Sequence, residues 1–507
     1  METITTASFA EHVEDLLSTW HVPGLSIAVF NSQTVTARGF GLASLDPEIP
    51  ATPNTIIDVA STSKSFTAAA VAKLIAANKF TWSTTVSSLL LEAFVLPDNH
   101  ATADVTVEDI LSHRSGVAGH DFSYMGIYAT TPDSARSVTT NMRNLPLSAS
   151  LRTKFQYSNM LFTAAAYLVE QVSGQPFHQF LQANFFTPLG MTSTYVQASA
   201  VQAASPDAAQ RFAHSYYWHK TDQKFVMIPW RDQPEAIGAG SIQSTVMDYA
   251  QWLRAMMAKS PLLFSEEIYN DLVTPRIVEN PGSEEELVPF TSFTMYALGW
   301  EVEFYRGVRI ITHGGSDLGY GCTMLFIPQV QFGIVIHGNA GDLYNVAQIL
   351  TMELIDEVLN VPATERVDWA ARQRDKATEQ EKKESDELAK LRGELLAREP
   401  DEEAAAPSLA AYTGTYTNVG YHSMQVSIKD GNLFIDAQDR GMPFNLTFEP
   451  LRAGRFSIAS MERDDGEVTH RRAEFDLDER GMPVRMGLDL EDELAPELIW
   501  FTKTSSS

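Results

Sequence analysis

Hydrophobic and polar positions along the first 360 residues repeat with two different periods. Two apolar runs, 25–30 and 34–40, flank a short polar stretch and predict an antiparallel hairpin. Apolar residues at helical spacing predict helices at 65–78, 160–173 and 247–259. Short apolar runs predict later strands at 308–312, 323–327 and 332–337. Strands at both ends with helices between them indicate an α+β fold whose sheet is completed when the chain returns.

The pattern changes beyond residue 360. Charged helix formers crowd 372–403 and predict an exposed helix, which runs into 400–407, a stretch of linker composition. Short alternating runs then follow, separated by turns such as Asp430-Gly431-Asn432, and predict a small antiparallel β-barrel or sandwich. A long surface helix inside one domain is the alternative to a linker. We therefore predict a main domain at 1–360, a charged helical linker at 361–407 and a β domain at 408–507.

Composition restricts the class of protein. The 507 residues hold 37 Lys+Arg against 64 Asp+Glu, a net charge of −27, which argues against binding nucleic acid or an anionic membrane. A single cysteine, Cys322, excludes an intrachain disulfide and a multi-thiolate metal site. No signal-peptide pattern and no apolar run of roughly 18–20 residues is visible. We expect a soluble cytoplasmic protein with no membrane span, no metal and no cofactor.

The first candidate for chemistry is Ser61-x-x-Lys64, at the start of the predicted helix 65–78. Spacing i, i+3 puts both side chains on one helix face. A lysine buried beside a serine has a lowered pKa and can take the hydroxyl proton. A chain of this length produces such a pair by chance, however, and an ordinary capped helix is the alternative.

Two further segments carry polar groups suited to acyl chemistry. Tyr157-x-Asn159 begins another predicted helix, yet Tyr416-x-Asn418 repeats the same spacing in the β-rich tail. His313-Gly314-Gly315-Ser316 follows a predicted strand, where glycines such as Gly315 allow close approach of a substrate and the Ser316 N–H becomes a donor. His313 is expected to touch Tyr157 and the leaving group. Taken singly, each segment also fits a purely structural role.

In this order, the three segments resemble those of the serine β-lactamase-related superfamily. The resemblance is to its class C-like branch of esterases, D-aminopeptidases, D-Ala-D-Ala carboxypeptidases and acyltransferases. The resemblance covers about residues 20–340, because five further segments are similar to short motifs of that branch. These segments are Val22-Pro23-Gly24, Leu111-Ser112-His113-Arg114-Ser115-Gly116, Pro188-Leu189-Gly190-Met191, Gly238-Ala239-Gly240-Ser241 and Leu298-Gly299-Trp300. The tail resembles a lipocalin-like β domain, entered at Leu409-x-x-Tyr412-x-Gly414-x-Tyr416.

The resemblance implies a β-lactamase/transpeptidase-like antiparallel sheet flanked by helices, an all-helical subdomain and a C-terminal small barrel. It also implies roles for individual residues. Ser61 would be the nucleophile, Lys64 its hydrogen-bonding partner and Tyr157 the general base. Asn159 would orient the lysine and the substrate carbonyl, and the N–H groups of Ser61 and Ser316 would form the oxyanion hole.

The implied activity is that of a serine hydrolase acting on an ester, thioester or amide of a small metabolite. An acyltransferase or cyclising thioesterase of the same fold remains open, as does a non-catalytic binding protein of another class. Penicillin-hydrolysing relatives carry a lysine where this chain has His313, so antibiotic resistance is not expected. The formation of a homo-oligomer is left open.

Overall fold

A computed structural model describes residues 2–279, 287–397, 407–452 and 455–504. The linker predicted at 400–407 lies outside this range except for its last residue. The strands of the main domain are β1 (Gly24–Phe30), β2 (Val35–Leu45), β3 (Glu48–Pro50), β4 (Ile57–Asp58), β5 (Tyr195–Val196), β6 (Ser215–His219), β7 (Lys224–Ile228), β8 (Ile242–Ser244), β9 (Ile277–Val278), β10 (Met295–Tyr296), β11 (Glu301–Tyr305), β12 (Val308–Asp317), β13 (Tyr320–Ile327) and β14 (Phe332–Gly338).

Helices precede, interrupt and follow these strands. They are α1 (Ala7–Thr19), α2 (Lys64–Ala76), α3 (Val86–Leu90), α4 (Asn99–Asp104), α5 (Val107–Leu111), α6 (Ala135–Asn141), α7 (Asn159–Ser173), α8 (Phe177–Leu181), α9 (Thr187–Leu189), α10 (Ala198–Ala204), α11 (Pro206–Arg211), α12 (Val246–Met257), α13 (Glu266–Val273), α14 (Leu343–Val358), α15 (Trp369–Ala397) and α16 (Leu409–Tyr412). None of the described helices is long and apolar enough to cross a membrane.

A nine-stranded antiparallel sheet organises the main domain, in the order β3-β2-β1-β14-β13-β12-β11-β10-β9. The return of the chain as β14 pairs with β1, as the sequence pattern predicts. Both faces of the sheet are covered, because Leu25, Ile27 and Val29 of β1 face α1 and α14 while Ala28 and Phe30 face α2 and α12. The α+β prediction is confirmed.

The tail forms a closed barrel of eight antiparallel strands. Each strand pairs with the next along the chain, and the last pairs with the first. The strands are β15 (Gly414–Asn418), β16 (His422–Lys429), β17 (Asn432–Ala437), β18 (Phe444–Arg452), β19 (Phe456–Arg463), β20 (Val468–Leu477), β21 (Pro483–Leu488) and β22 (Ile499–Lys503). Closure leaves this sheet without an exposed edge.

The barrel and the main domain are packed against each other. One hydrophobic cluster runs from Phe66 of α2 and Leu161 of α7 to residues of the barrel such as Tyr416 and Phe475. The predicted charged helix is present as α15, and its start packs on the main domain through buried Trp369. The division into three separate parts stays a prediction, since a shared core crosses it.

Candidate active site

Ser61 stands at a strained turn between β4 and α2. The preceding Ala60 has a φ of +46°, a left-handed conformation that costs a non-glycine residue energy. The Asp58 carboxylate holds this turn by accepting from the Ala60 N–H at 2.7 Å. Thr62, Ser63 and the whole first turn of α2 are buried, whereas Ser61 is half-exposed. Of this segment, Ser61 is therefore the residue presented to a substrate.

Lys64 is fully buried, and its amine reaches three oxygens. Nζ donates to Ser61 Oγ (3.0 Å), Asn159 Oδ1 (2.7 Å) and the Ala239 carbonyl (2.9 Å). Burial lowers the pKa of Lys64 to about 7, and the negative charge of Asp121 is the largest effect that opposes this shift. A neutral amine keeps two N–H donors, which Asn159 and Ala239 can accept, so its lone pair is left for the Ser61 hydroxyl.

Tyr157 lies close to both Ser61 and Lys64. Burial raises the pKa of the Tyr157 phenol, and a hydrogen bond with Ser61 acts in the opposite direction. The amine of Lys64 lies 4.7 Å from the centre of the Tyr157 ring. A phenol in this environment stays protonated near neutral pH and acts as a hydrogen-bond donor.

His113 holds the segment that carries Tyr157. The His113 carbonyl accepts from Gln156 N at 2.8 Å, and His113 Nδ1 accepts from Ser158 N at 3.1 Å. The imidazole also packs on the Tyr157 ring, with 4.4 Å between ring centres. Burial lowers the pKa of His113 well below its usual value, so the ring is neutral. His113 is a positioning residue, because it hydrogen-bonds the backbone N–H groups immediately before and after Tyr157.

Asp121 fixes the orientation of the Asn159 amide. The Asp121 carboxylate accepts from Asn159 Nδ2 at 3.1 Å and from the Tyr124 hydroxyl at 3.0 Å. A carboxylate only accepts, so the Asn159 oxygen must point the other way, toward Lys64. Neither Asp121 nor His113 is among the site residues predicted from the sequence, because their spacing to Ser61 carries no signal.

Strand β12 passes directly over Ser61, and Gly315 makes this approach possible. A Cβ at Gly315 would lie 2.8 Å from Val59 O, 2.8 Å from Cys322 Sγ and 2.9 Å from Ser61 N. Pairing between β11 and β12 ends at Thr312, so within the described part of the chain 313–317 has a strand partner on one side only. The unpaired edge of 313–317 runs beside Ser61. This stretch includes Ser316, whose N–H is the predicted second donor to the oxyanion.

The His313 imidazole is hydrogen-bonded at both nitrogens. Its Nδ1 lies 2.6 Å from the Gly314 carbonyl, so this nitrogen carries the proton, and Nε2 accepts from the Tyr296 hydroxyl at 2.9 Å. Both ring nitrogens of His313 are used by these partners, and the expected contact of His313 with Tyr157 and the leaving group stays a prediction. Burial lowers the pKa of His313 to about 3, so the imidazole carries no charge.

Two cavities of different size meet at Ser61. The wide one, about 580 Å³, is lined by Tyr157, His313 and carboxylates such as Glu301. The narrow one, about 70 Å³, is lined by Asn159 and by Met442 of the barrel. Ser61 and Ser316 border both cavities, so a bond attacked by Ser61 has one substituent on each side.

The fold and this arrangement define a serine hydrolase of the β-lactamase type. The family model described as Beta-lactamase matches residues 9–352, and the chain belongs to this family. A second model, described as a domain of unknown function (DUF3471), matches residues 398–503. The predicted family is therefore confirmed, while the likeness of the barrel to lipocalins stays a prediction.

Two curated relatives align over almost the whole chain. The unguisins hydrolase of Aspergillus campestris is 33% identical over 504 residues, covering 98% of this chain and 91% of the relative. The unguisins hydrolase of Aspergillus violaceofuscus is 32% identical over 513 residues, covering 96% and 88%. Among solved structures, the octameric penicillin-binding protein homologue from Pyrococcus abyssi superposes with a TM-score of 0.61 at 20% identity, covering 97% of this chain and 98% of that one. That last likeness concerns the fold alone.

Proposed function

We propose that this chain hydrolyses an amide bond of a small peptide-like metabolite through an acyl-enzyme on Ser61. The observation that carries the proposal is the contact between the buried Lys64 amine and Ser61 Oγ. The open edge of 313–317 supports a peptide-like substrate, because a strand edge binds an extended backbone. Two relatives at 33% and 32% identity are named unguisins hydrolases, so unguisins are the first compounds to test.

Acylation begins when neutral Lys64 takes the Ser61 hydroxyl proton. Oγ then forms a bond to the substrate carbonyl carbon, and the carbonyl oxygen becomes an oxyanion facing the N–H groups of Ser61 and Ser316. Tyr157, which touches Ser61, relays the proton from Lys64 to the leaving nitrogen as the C–N bond breaks. The sequence resemblance implies Tyr157 as the base, but the lowered pKa of Lys64 and the raised pKa of Tyr157 favour this division of roles.

Deacylation repeats the steps with water. Lys64 accepts a proton from a water molecule, the oxygen attacks the ester carbonyl, and the Ser61 oxygen leaves and recovers its proton. The products are a carboxylic acid and an amine, which together contain the atoms of substrate and one water. His313 supplies no positive charge at this site, which disfavours substrates that need their carboxylate bound, including β-lactam antibiotics.

The decisive experiment combines labelling with product analysis. The wild-type chain is expected to react with a fluorophosphonate probe and to hydrolyse an unguisin to material whose total mass exceeds that of the substrate by one water. Ser61→Ala should do neither, whereas Ser63→Ala, a change at the buried neighbour in the same turn, should still be labelled. Equal labelling of Ser61→Ala would remove Ser61 as the nucleophile. Transfer of the acyl group to an added amine or alcohol in preference to water would identify an acyltransferase instead.

We also propose that the protein acts in the cytoplasm. Its one cysteine, Cys322, is a free buried thiol, and burial raises the pKa of this thiol to about 12. Proteins without disulfides suit a reducing compartment. Cell fractionation tests the location, and sedimentation of the purified chain decides whether it forms a homo-oligomer.

A further inference from the structure

The barrel reaches the active site through the loop that joins β17 to β18, residues 438–443. Gly126 N donates to Asp439 O at 2.9 Å, and Gly441 N donates to Tyr124 O at 3.0 Å. These two bonds fasten the loop to the segment that also carries Asp121. A Cβ at Gly126 would lie 2.5 Å from Arg440 O, so the two backbones touch without space for a side chain.

Arg440 anchors this loop from inside. Its side chain is 1% exposed, and its guanidinium donates to Tyr421 O (2.8 Å) and Ser423 O (2.7 Å) of the barrel. A buried charge is tolerated only where hydrogen bonds replace its water shell. The loop is therefore held in one position relative to both the barrel and the main domain.

Further contacts surround the anchored loop. The Glu491 carboxylate accepts from His120 N at 2.5 Å, and the Tyr421 hydroxyl is hydrogen-bonded to His120 Nδ1 at 2.7 Å. The rings of Phe122 and Phe444 pack edge to face with 5.1 Å between their centres. Together these contacts bind the barrel to the turn around Asp121. Asp121 in turn accepts a hydrogen bond from Asn159 of the active site.

The result is a narrow cavity with walls from both parts of the chain. Gly441 and Met442 of the barrel line it together with Ala60, Ser61 and Asn159. The cavity measures about 70 Å³, against about 580 Å³ for the wide cavity. Gly441 packs closely on Glu235, because a Cβ at Gly441 would lie 2.8 Å from Glu235 Oε1. Met442 is the flexible side chain of this wall.

The proposed roles of Lys64 and Tyr157 determine which cavity holds the leaving group of the substrate and which holds its acyl group. Tyr157, the donor to the leaving group, borders the wide cavity and not the narrow one. The leaving group must depart on the side of its proton donor, so the acyl group extends to the side of Asn159 and Met442. On the basis of the proposed function, we propose that Met442 of the barrel limits the size of the acyl group that Ser61 accepts.

The test measures kcat/KM for the p-nitroanilides of acetate, butyrate, hexanoate and octanoate with the purified full chain, because the nitrogen of these amides needs a proton to leave. The wild type should prefer the short acyl groups. Met442→Ala should raise the hexanoate-to-acetate ratio about tenfold, and Met442→Trp should lower it, since the size of a pocket discriminates by roughly that factor per methylene. Met482→Ala, at an exposed methionine in another turn of the barrel, should keep the wild-type ratio.

The outcomes separate this proposal from the activity itself. Loss of both turnover and fluorophosphonate labelling in Ser61→Ala supports Ser61 as the nucleophile irrespective of Met442. An unchanged ratio in both Met442 variants, or the same change in Met482→Ala, would overturn the role of Met442 while leaving the hydrolase intact. Circular dichroism of each variant confirms folding, and Met442→Ala alone decides the matter if Met442→Trp does not fold.

Discussion

At the residue scale, the protonation state of Lys64 controls when Ser61 can react. Only the neutral amine accepts a proton, and burial brings the pKa of Lys64 down to about 7. We expect kcat/KM to fall about tenfold per pH unit below about 7 and to level off above it, because this parameter reports the free enzyme. The pH profile with a p-nitrophenyl ester measures this directly.

A charge-removing variant provides the control. Asp121 opposes the lowering of the Lys64 pKa, and in Asp121→Asn the side-chain oxygen still accepts from Asn159. The midpoint of the profile should therefore move to lower pH in Asp121→Asn. A midpoint that stays in place would mean that a group other than Lys64 governs the profile.

Tyr157→Phe distinguishes a proton relay from a general base. If Tyr157 protonates the leaving nitrogen, its loss should reduce amide hydrolysis by about 10²–10⁴-fold. Hydrolysis of a p-nitrophenyl ester should fall less than tenfold, because p-nitrophenolate leaves without a proton. Rates on an anilide and an ester of the same acid make the comparison. Equal losses on both substrates would restore Tyr157 as the base for Ser61.

At the element scale, the meeting of β12 with the turn before α2 creates the oxyanion site. Gly315→Ala would place a methyl group about 2.9 Å from Ser61 N and should push the strand away. Loss of one oxyanion donor costs about 10²–10³ in kcat, and overpacking costs about 1–3 kcal/mol of stability. Steady-state kinetics and a denaturation midpoint report both effects.

Gly393→Ala is the matched control for this substitution. Gly393 lies on the exposed face of α15 with no atom within 4 Å of a new Cβ, so activity should be unchanged. Stability should rise by about 1 kcal/mol, since alanine is the better helix former. A Gly315→Ala variant with wild-type kcat would show that β12 does not supply the donor.

Several elements were predictable from local pattern alone. The hairpin of β1 and β2 and the helices α2, α7 and α12 follow from apolar spacing, because side-chain period is a local property. The short strands β4 and β8, which pair with each other behind Ser61, give no such signal. A two- or three-residue strand is defined by its partner rather than by its own sequence.

At the scale of the whole molecule, the barrel and the main domain share one hydrophobic core. We therefore expect a single cooperative unfolding transition, with calorimetric and van't Hoff enthalpies in agreement. Arg440→Met, which removes the anchor of the barrel loop, should lower the transition temperature. Lys154→Ala, which removes an exposed ion pair with Glu493, should shift it little. Two separate transitions in the wild type would contradict the shared core.

The order of Ser61, Lys64, Tyr157, Asn159 and the 313–316 segment already indicated the family and the class of reaction. Those motifs are short stretches whose spacing is local, so they can be read without coordinates. Their partners cannot be read in this way: Asp121, His113 and Met442 act across large separations in sequence, and folding alone makes them neighbours of Ser61. The alternating and helical periods of the apolar residues thus predicted the layers of the molecule, whereas packing of the barrel against the main domain decided the shape of the pocket in which the chemistry takes place.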